Sequence, residues 1–90
     1  MRVINTSFVI MSEKDIYTQQ QLGNLAKRIK QLRKEKGIAN YEHLAYMSNT
    51  SRSMISRFEN GHDVRFSTLL RVIKALDISV KEFFGEGFED

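Results

Sequence analysis

Leu22, Leu25, Ile29 and Leu32 recur at alternating spacings of three and four, with Ala26 beside them and cations filling the other faces up to Lys36. That period predicts an amphipathic helix. Thr18-Gln19-Gln20-Gln21 has the form of a capping box that would open it, and Gly37 is placed to close it in the left-handed conformation. Asn40 is a good N-cap for a short second helix from Tyr41 to about Met47, with Leu44 and Ala45 inward. Ser48-Asn49-Thr50-Ser51 is a brief break in which Asn49 tolerates positive φ. Ser51 then caps a third helix running to Asn60 and Gly61, with Ile55 and Phe58 on one face and Arg52, Ser53, Ser56 and Arg57 on the other.

After a loop from Gly61 to about Arg65, Leu69, Leu70, Val72, Ile73 and Leu76 mark a fourth helix, apolar around much of its circumference and therefore expected to be central. Ser79-Val80-Lys81-Glu82 is a second capping box and opens a short fifth helix carrying Phe83 and Phe84. The reading is an all-α fold, a five-helix bundle around a helix-turn-helix. It divides the chain into an N-terminal arm (1–17), the helical domain (18–85) and an acidic, mobile tail (86–90). The arm holds Val3, Ile4, Phe8, Val9 and Ile10, which suit a short strand, an ordered arm or a fraying end, and Met11 before Ser12 offers a second start.

Composition narrows the function. Ninety residues allow one small domain, with no room for a catalytic domain beside a regulatory one. Cysteine is absent, which excludes disulfides and thiolate chemistry and is compatible with a cytoplasmic protein. No apolar run reaches the ~20 residues that span a bilayer. The net charge of +3 is unevenly spread: Leu22 to Lys74 holds eleven Lys and Arg against four acids, whereas the last 16 residues hold one Lys against five acids. A basic middle suits a polyanion, although Lys27 to Lys36 reads equally well as a solvated helix face.

The runs Ile29-Lys-Gln-Leu-Arg33-Lys-Glu-Lys-Gly37, Leu44-Ala45, Ser51-Arg-Ser-Met-Ile55-Ser-Arg-Phe-Glu59-Asn60-Gly61 and Leu69-Leu70 through Ser79 resemble the Xre/Cro-type helix-turn-helix family, which includes phage repressors. The resemblance spans about residues 22–84. It implies a lambda-repressor-like domain that binds double-stranded DNA, sequence-specifically, as a homodimer. Three departures stand out: Asn49 replaces the usual turn glycine, Ser48 and Thr50 sit where apolar residues are common and would loosen that corner, and one extra residue follows Gly37.

An α-helix fits the B-DNA major groove, and a reader needs side chains at i, i+1, i+4 and i+5 to keep one face on the bases. Arg52, Ser53, Ser56 and Arg57 have that spacing. They are the candidates for base contact, the arginines through bidentate bonds to guanine; Met54 is at the boundary and reads as packing. Asn40 and Tyr41 at the start of the second helix are candidates for phosphate contact, as are Thr50, Ser51, Asn60 and Arg65 by family position. Asn40 and Ser51 also serve as caps, and Tyr41 reads equally as a surface aromatic. The resemblance sets Glu59 opposite Arg33 as a structural ion pair, the alternative being a solvated acid. It sets Ile78, Val80 and Phe84 at a dimer interface, with completion of the monomer core as the competing role.

Catalysis finds no support. His43 and His62 lack metal-ligand spacing, no phosphate-cradling Gly-Lys-Ser/Thr loop is present, and no serine has a positioned base, so neither metal nor cofactor is expected. The leading function is a regulator of transcription on a palindromic operator. Its variants are a restriction–modification controller and a DNA-binding antitoxin with a toxin as protein partner. The reading from another class is a protein-interaction module that has lost DNA binding and uses the acidic tail and an exposed Phe88. A membrane-surface role is weaker, because the cationic helix lacks aromatic anchors.

Overall fold

The computed structural model describes residues 13–89. It contains α1 (Glu13–Glu35), α2 (Tyr41–Ser48), α3 (Arg52–Glu59), α4 (Phe66–Ala75) and α5 (Val80–Phe84), and no strand among the described residues. The helix α1 packs on α3, α2 on both α3 and α4, and α5 on α4. One core joins them all. Leu25, Ile29 and Leu32 from α1 meet Leu44 and Ala45 from α2, Ile55 and Phe58 from α3, Leu69, Val72 and Ile73 from α4, and Leu76 and Phe83 beyond. Ile38, in the loop after α1, closes the same cluster.

The local signals for the short helices act as their chemistry requires. Asn40 Oδ1 accepts from the His43 amide at 2.9 Å, and Ser51 Oγ accepts from the Met54 amide at 3.1 Å. Ser79 and Glu82 close a reciprocal capping box on α5. Gly37 ends α1 at φ 74°, with its amide on Lys34 O and the Ile38 amide on Arg33 O. Buried Ile38 supplies the apolar contact that accompanies this type of stop.

Four expectations are corrected. Thr18 does not cap α1, because the helix is continuous from Glu13 through the boundary placed at residues 17 and 18. Asp15 places negative charge in the first turn, and no Gly or Pro precedes Gly23, so the local chain favours helix well before Thr18. Expectations for residues 1–12 lie outside the described residues.

Ser48 and Thr50 do not loosen the turn. Buried Ser48 Oγ donates to Leu44 O at 2.8 Å and lies 2.9 Å from Thr50 Oγ1, so each hydroxyl has a partner. The Thr50 amide on Ala45 O at 2.9 Å and the Asn49 amide on Tyr46 O at 3.2 Å fasten the corner, with Asn49 at φ 56°.

The segment after α5 folds back instead of trailing. Phe88 is half-buried against the core, its ring centroid 5.0 Å from that of Phe84 and 6.1 Å from that of Phe83. It is therefore not the exposed hook that the interaction-module reading used. The fourth helix is also less enclosed than its composition predicts, since Leu70 and Phe66 are exposed.

Asp77 holds φ 57° at the end of α4. Left-handed backbone costs a residue with Cβ roughly 1–2 kcal/mol, and glycine returns part of the difference as unfolded-state entropy. Asp77→Gly is expected to raise stability by about 0.5–1 kcal/mol. Urea unfolding checks it: the midpoint rises at constant slope.

Candidate nucleic-acid interface

The third helix presents two faces of opposite character because its apolar residues sit three apart and its polar residues fall between them. Ile55 and Phe58 are fully buried, and that fixes the rotation of the helix about its axis. Arg52, Ser53 and Arg57 consequently face outward, with Ser56 at the half-buried edge. Met54 packs partly against the core, as its position at the boundary suggests.

The helix is also held in direction. Arg33 Nε donates to Glu59 Oε2 at 2.8 Å and Nη2 to Glu59 Oε1 at 3.3 Å, a bidentate pair between α1 and the last residue of α3. Arg33 Nη1 completes its donors on Ile38 O at 3.1 Å. Both side chains are about nine-tenths buried. The pair stands with its hydrogen bonds satisfied, the condition under which buried charge is tolerated.

The candidate phosphate ligands surround the exposed face of α3. Asn40 and exposed Tyr41 start α2, half-buried Thr50 and exposed Ser51 precede α3, and exposed Asn60 follows it. Arg65 is exposed at the N-cap position of α4, with no capping hydrogen bond from its side chain. Several of these groups already have partners. Asn60 Nδ2 donates to Ser56 O at 2.8 Å and lies 3.2 Å from Ser56 Oγ, and Ser51 Oγ lies 3.2 Å from Ser53 Oγ. This network keeps the small hydroxyls at defined positions around the helix.

The two arginines of the face differ. Arg57 Nη2 donates to the Asp63 carbonyl at 3.3 Å, a neutral acceptor in the loop after α3. Arg52 Nη1 donates to Glu42 Oε2 in the first turn of α2. The hydrogen bond that Arg52 donates to Glu42, and then the charge of that carboxylate, raises the Arg52 pKa above the ordinary arginine value. Both members of that pair remain solvent-exposed, at 67% and 52% of the side chain.

Sequence reasoning missed Arg28, which it counted among the cations of α1. Arg28 is buried at 5% exposure and donates from Nε to Phe83 O and from Nη2 to Glu82 O, both at 2.8 Å. Glu86 lies 3.8 Å away, and the Phe83 ring centroid 5.9 Å from Cζ. A cation at the C-terminal end of α5 satisfies carbonyls that the helix leaves open and complements the helix dipole. The available signal was its phase, three after Leu25 and four before Leu32, which puts it beside the apolar stripe. Glu42 was missed as well, and its signal was only that an acid stands amid candidate DNA ligands.

The candidate dimer residues lie between α4 and α5 and on α5 itself. Val80 and Phe84 are exposed, and Ile78 is half-buried. Ile78, Val80 and Leu70 border one shallow depression of about 370 Å³. No cluster of side chains suited to hold a metal occurs among the described residues, and none of their helices is long and apolar enough to cross a membrane.

Comparison with known proteins completes the picture. The helix-turn-helix family pattern matches residues 29–83, from the middle of α1 to α5. The chain belongs to the Cro/C1-type helix-turn-helix family. Within that family it is a DNA-binding regulator of transcription. A crystal structure of a mutant of the restriction-modification controller protein C.Esp1396I is similar to it, at 34% sequence identity and a TM-score of 0.68. The likeness covers 73% of this chain and 88% of that one. A search of curated proteins finds no match.

Proposed function

We propose that this chain acts as a two-fold homodimer on a palindromic operator, in the manner of a restriction–modification controller. Supporting the operator reading is one observation above the rest: Arg52 and Arg57 stand exposed on a helix whose opposite face is fully buried and whose end is clamped by Arg33 and Glu59. A rigid rod with outward cations meets the geometric needs of major-groove readout. Arg52, Ser53, Ser56 and Arg57 contact base edges. Asn40, Tyr41, Thr50, Ser51, Asn60 and Arg65 grip phosphates and set the register. The Arg33–Glu59 pair holds the reading helix at its angle.

The controller assignment rests on the similarity to C.Esp1396I, whose chain is covered almost throughout. Dimerisation is supported by the apolar surface that Ile78 and Val80 share with Leu70, and by the exposed ring of Phe84, which borders a separate depression with Leu22, Leu25 and Phe88. A two-fold pair would set two reading helices about 34 Å apart, on successive major grooves.

Selection of bound duplexes from a random library tests the operator reading. It is expected to return an inverted repeat whose binding weakens by a decade or more between 50 and 200 mM salt, as several phosphate contacts require. Sequences without symmetry, or binding indifferent to salt, would refute it. Val80→Glu is expected to leave the helical content intact, convert the protein to a monomer in sedimentation and weaken binding to the full repeat by about 10²-fold. Equal loss on a half-site would show that Val80 acts within one domain and not between two.

A further inference from the structure

Among the ion pairs of the described residues, Arg52–Glu42 is the one that engages a cation of the reading face. Its exposure means it adds little to folding, because a solvated pair is screened and its side chains lose freedom in forming it. An acid at that place is also unfavourable for meeting DNA. Glu42 lies in the first turn of α2, next to Tyr41 and two residues after Asn40, among the groups that would approach phosphate. Glu42 complements the dipole of α2 from its first turn, but affinity for DNA does not account for a carboxylate paired with a cation of the reading face.

Selectivity does. Glu42 engages Arg52 through Nη1. Among the described residues the Nε and Nη2 edge has no side-chain hydrogen-bond partner, and that edge is one of the two that can pair with guanine O6 and N7. With guanine present, Arg52 keeps its bond to Glu42 and gains two more, so the carboxylate stays neutralised. With another base present, Arg52 has two poor choices. It can remain on Glu42 with its free edge unmatched, or swing to a phosphate and leave a bare carboxylate against a polyanion. Either outcome penalises the wrong sequence, the repulsive element that discrimination between similar partners calls for.

We infer that Glu42 is a specificity-determining residue, which aims Arg52 at a guanine through one guanidinium nitrogen and repels the phosphates of non-cognate DNA. This rests on the operator reading above. Among the described residues Arg57 has no such partner; its acceptor is the neutral Asp63 carbonyl, so the device belongs to the position of Arg52. The two parts of the role are separable. Glu42→Gln removes the charge but keeps an acceptor for Arg52, and Glu42→Ala removes both.

The test measures affinity of the full chain and both variants for the library-selected duplex and for an unselected duplex of equal length, over a range of salt. Melting curves first establish that the variants fold. Both variants are expected to bind the unselected duplex roughly 3–10-fold more tightly at low salt, with the gain shrinking as salt rises. Glu42→Gln should bind the selected duplex within a fewfold of the parent, whereas Glu42→Ala should bind it more weakly and tolerate replacement of the guanine. A selected-to-unselected ratio within twofold of the parent for both variants would overturn the role of Glu42 while leaving DNA binding in place. A parent protein that selects no duplex would overturn the operator reading and this inference together.

Discussion

Glu59→Ala is expected to cost about 3–5 kcal/mol of folding stability, close to all that a domain of this size possesses. The cost does not come from losing attraction between opposite charges, which at this burial is largely offset by desolvation. It comes from what remains. Arg33 would keep its charge at about one-tenth exposure with Nε and Nη2 stripped of their acceptors and only Ile38 O left. Urea unfolding is the measurement, and a change below about 1 kcal/mol would show that water reaches the guanidinium and that the site is softer than its geometry. The paired replacement Arg33→Met with Glu59→Leu removes both charges at similar volume and should recover most of the loss. A recovered fold with weakened operator binding would assign the pair its positioning role, since stability and the angle of the reading helix would then separate.

Arg52→Ala should produce the largest change in sequence preference. Loss of a bidentate guanine contact removes about 1–3 kcal/mol of discrimination at one position of each half-site, or roughly tenfold to a hundredfold. Other positions should keep their preferences. Arg65→Ala acts on phosphate instead, so every duplex should weaken by a similar factor and the slope of log affinity against log salt should flatten by about one per subunit. Competition against a panel of single-base operator variants separates the two outcomes. Matching profiles for the two replacements would defeat the division of labour between them.

The pattern of the short helices was open to reading because its causes are local. A cap such as Asn40, Ser51 or Ser79 accepts from an amide three residues away, and a left-handed stop such as Gly37 or Asn49 answers carbonyls within one turn. Apolar spacing likewise belongs to single helices, so the outward face of Arg52, Ser53, Ser56 and Arg57 follows once Ile55 and Phe58 are inside. The failure at Thr18 has the same origin seen from the other side. A capping box is permissive, and a stretch ahead of it with acids in the first turn and no Gly or Pro lets the helix continue past the signal.

Partners distant along the chain were another matter. Arg33 and Glu59 stand 26 residues apart, and family resemblance, not spacing, brought them together. Arg28 differs from Lys27 and Lys30 by one or a few steps of helical rotation, yet it alone of the three is buried, on carbonyls 54 and 55 residues away. Phe88 turns inward because Phe83 and Phe84 offer it apolar surface, and Glu42 meets Arg52 because the turn at Asn49 brings the start of α2 beside the start of α3. The sequence by itself thus determined where the short helices lie and which apolar residues of α1, α2 and α3 turn inward, since both depend on neighbours within a turn or two. Only the tertiary structure decided which cations remain free to meet DNA. A guanidinium pairs with whichever oxygens folding brings within about 3 Å, and that distance is set by the packing of whole helices.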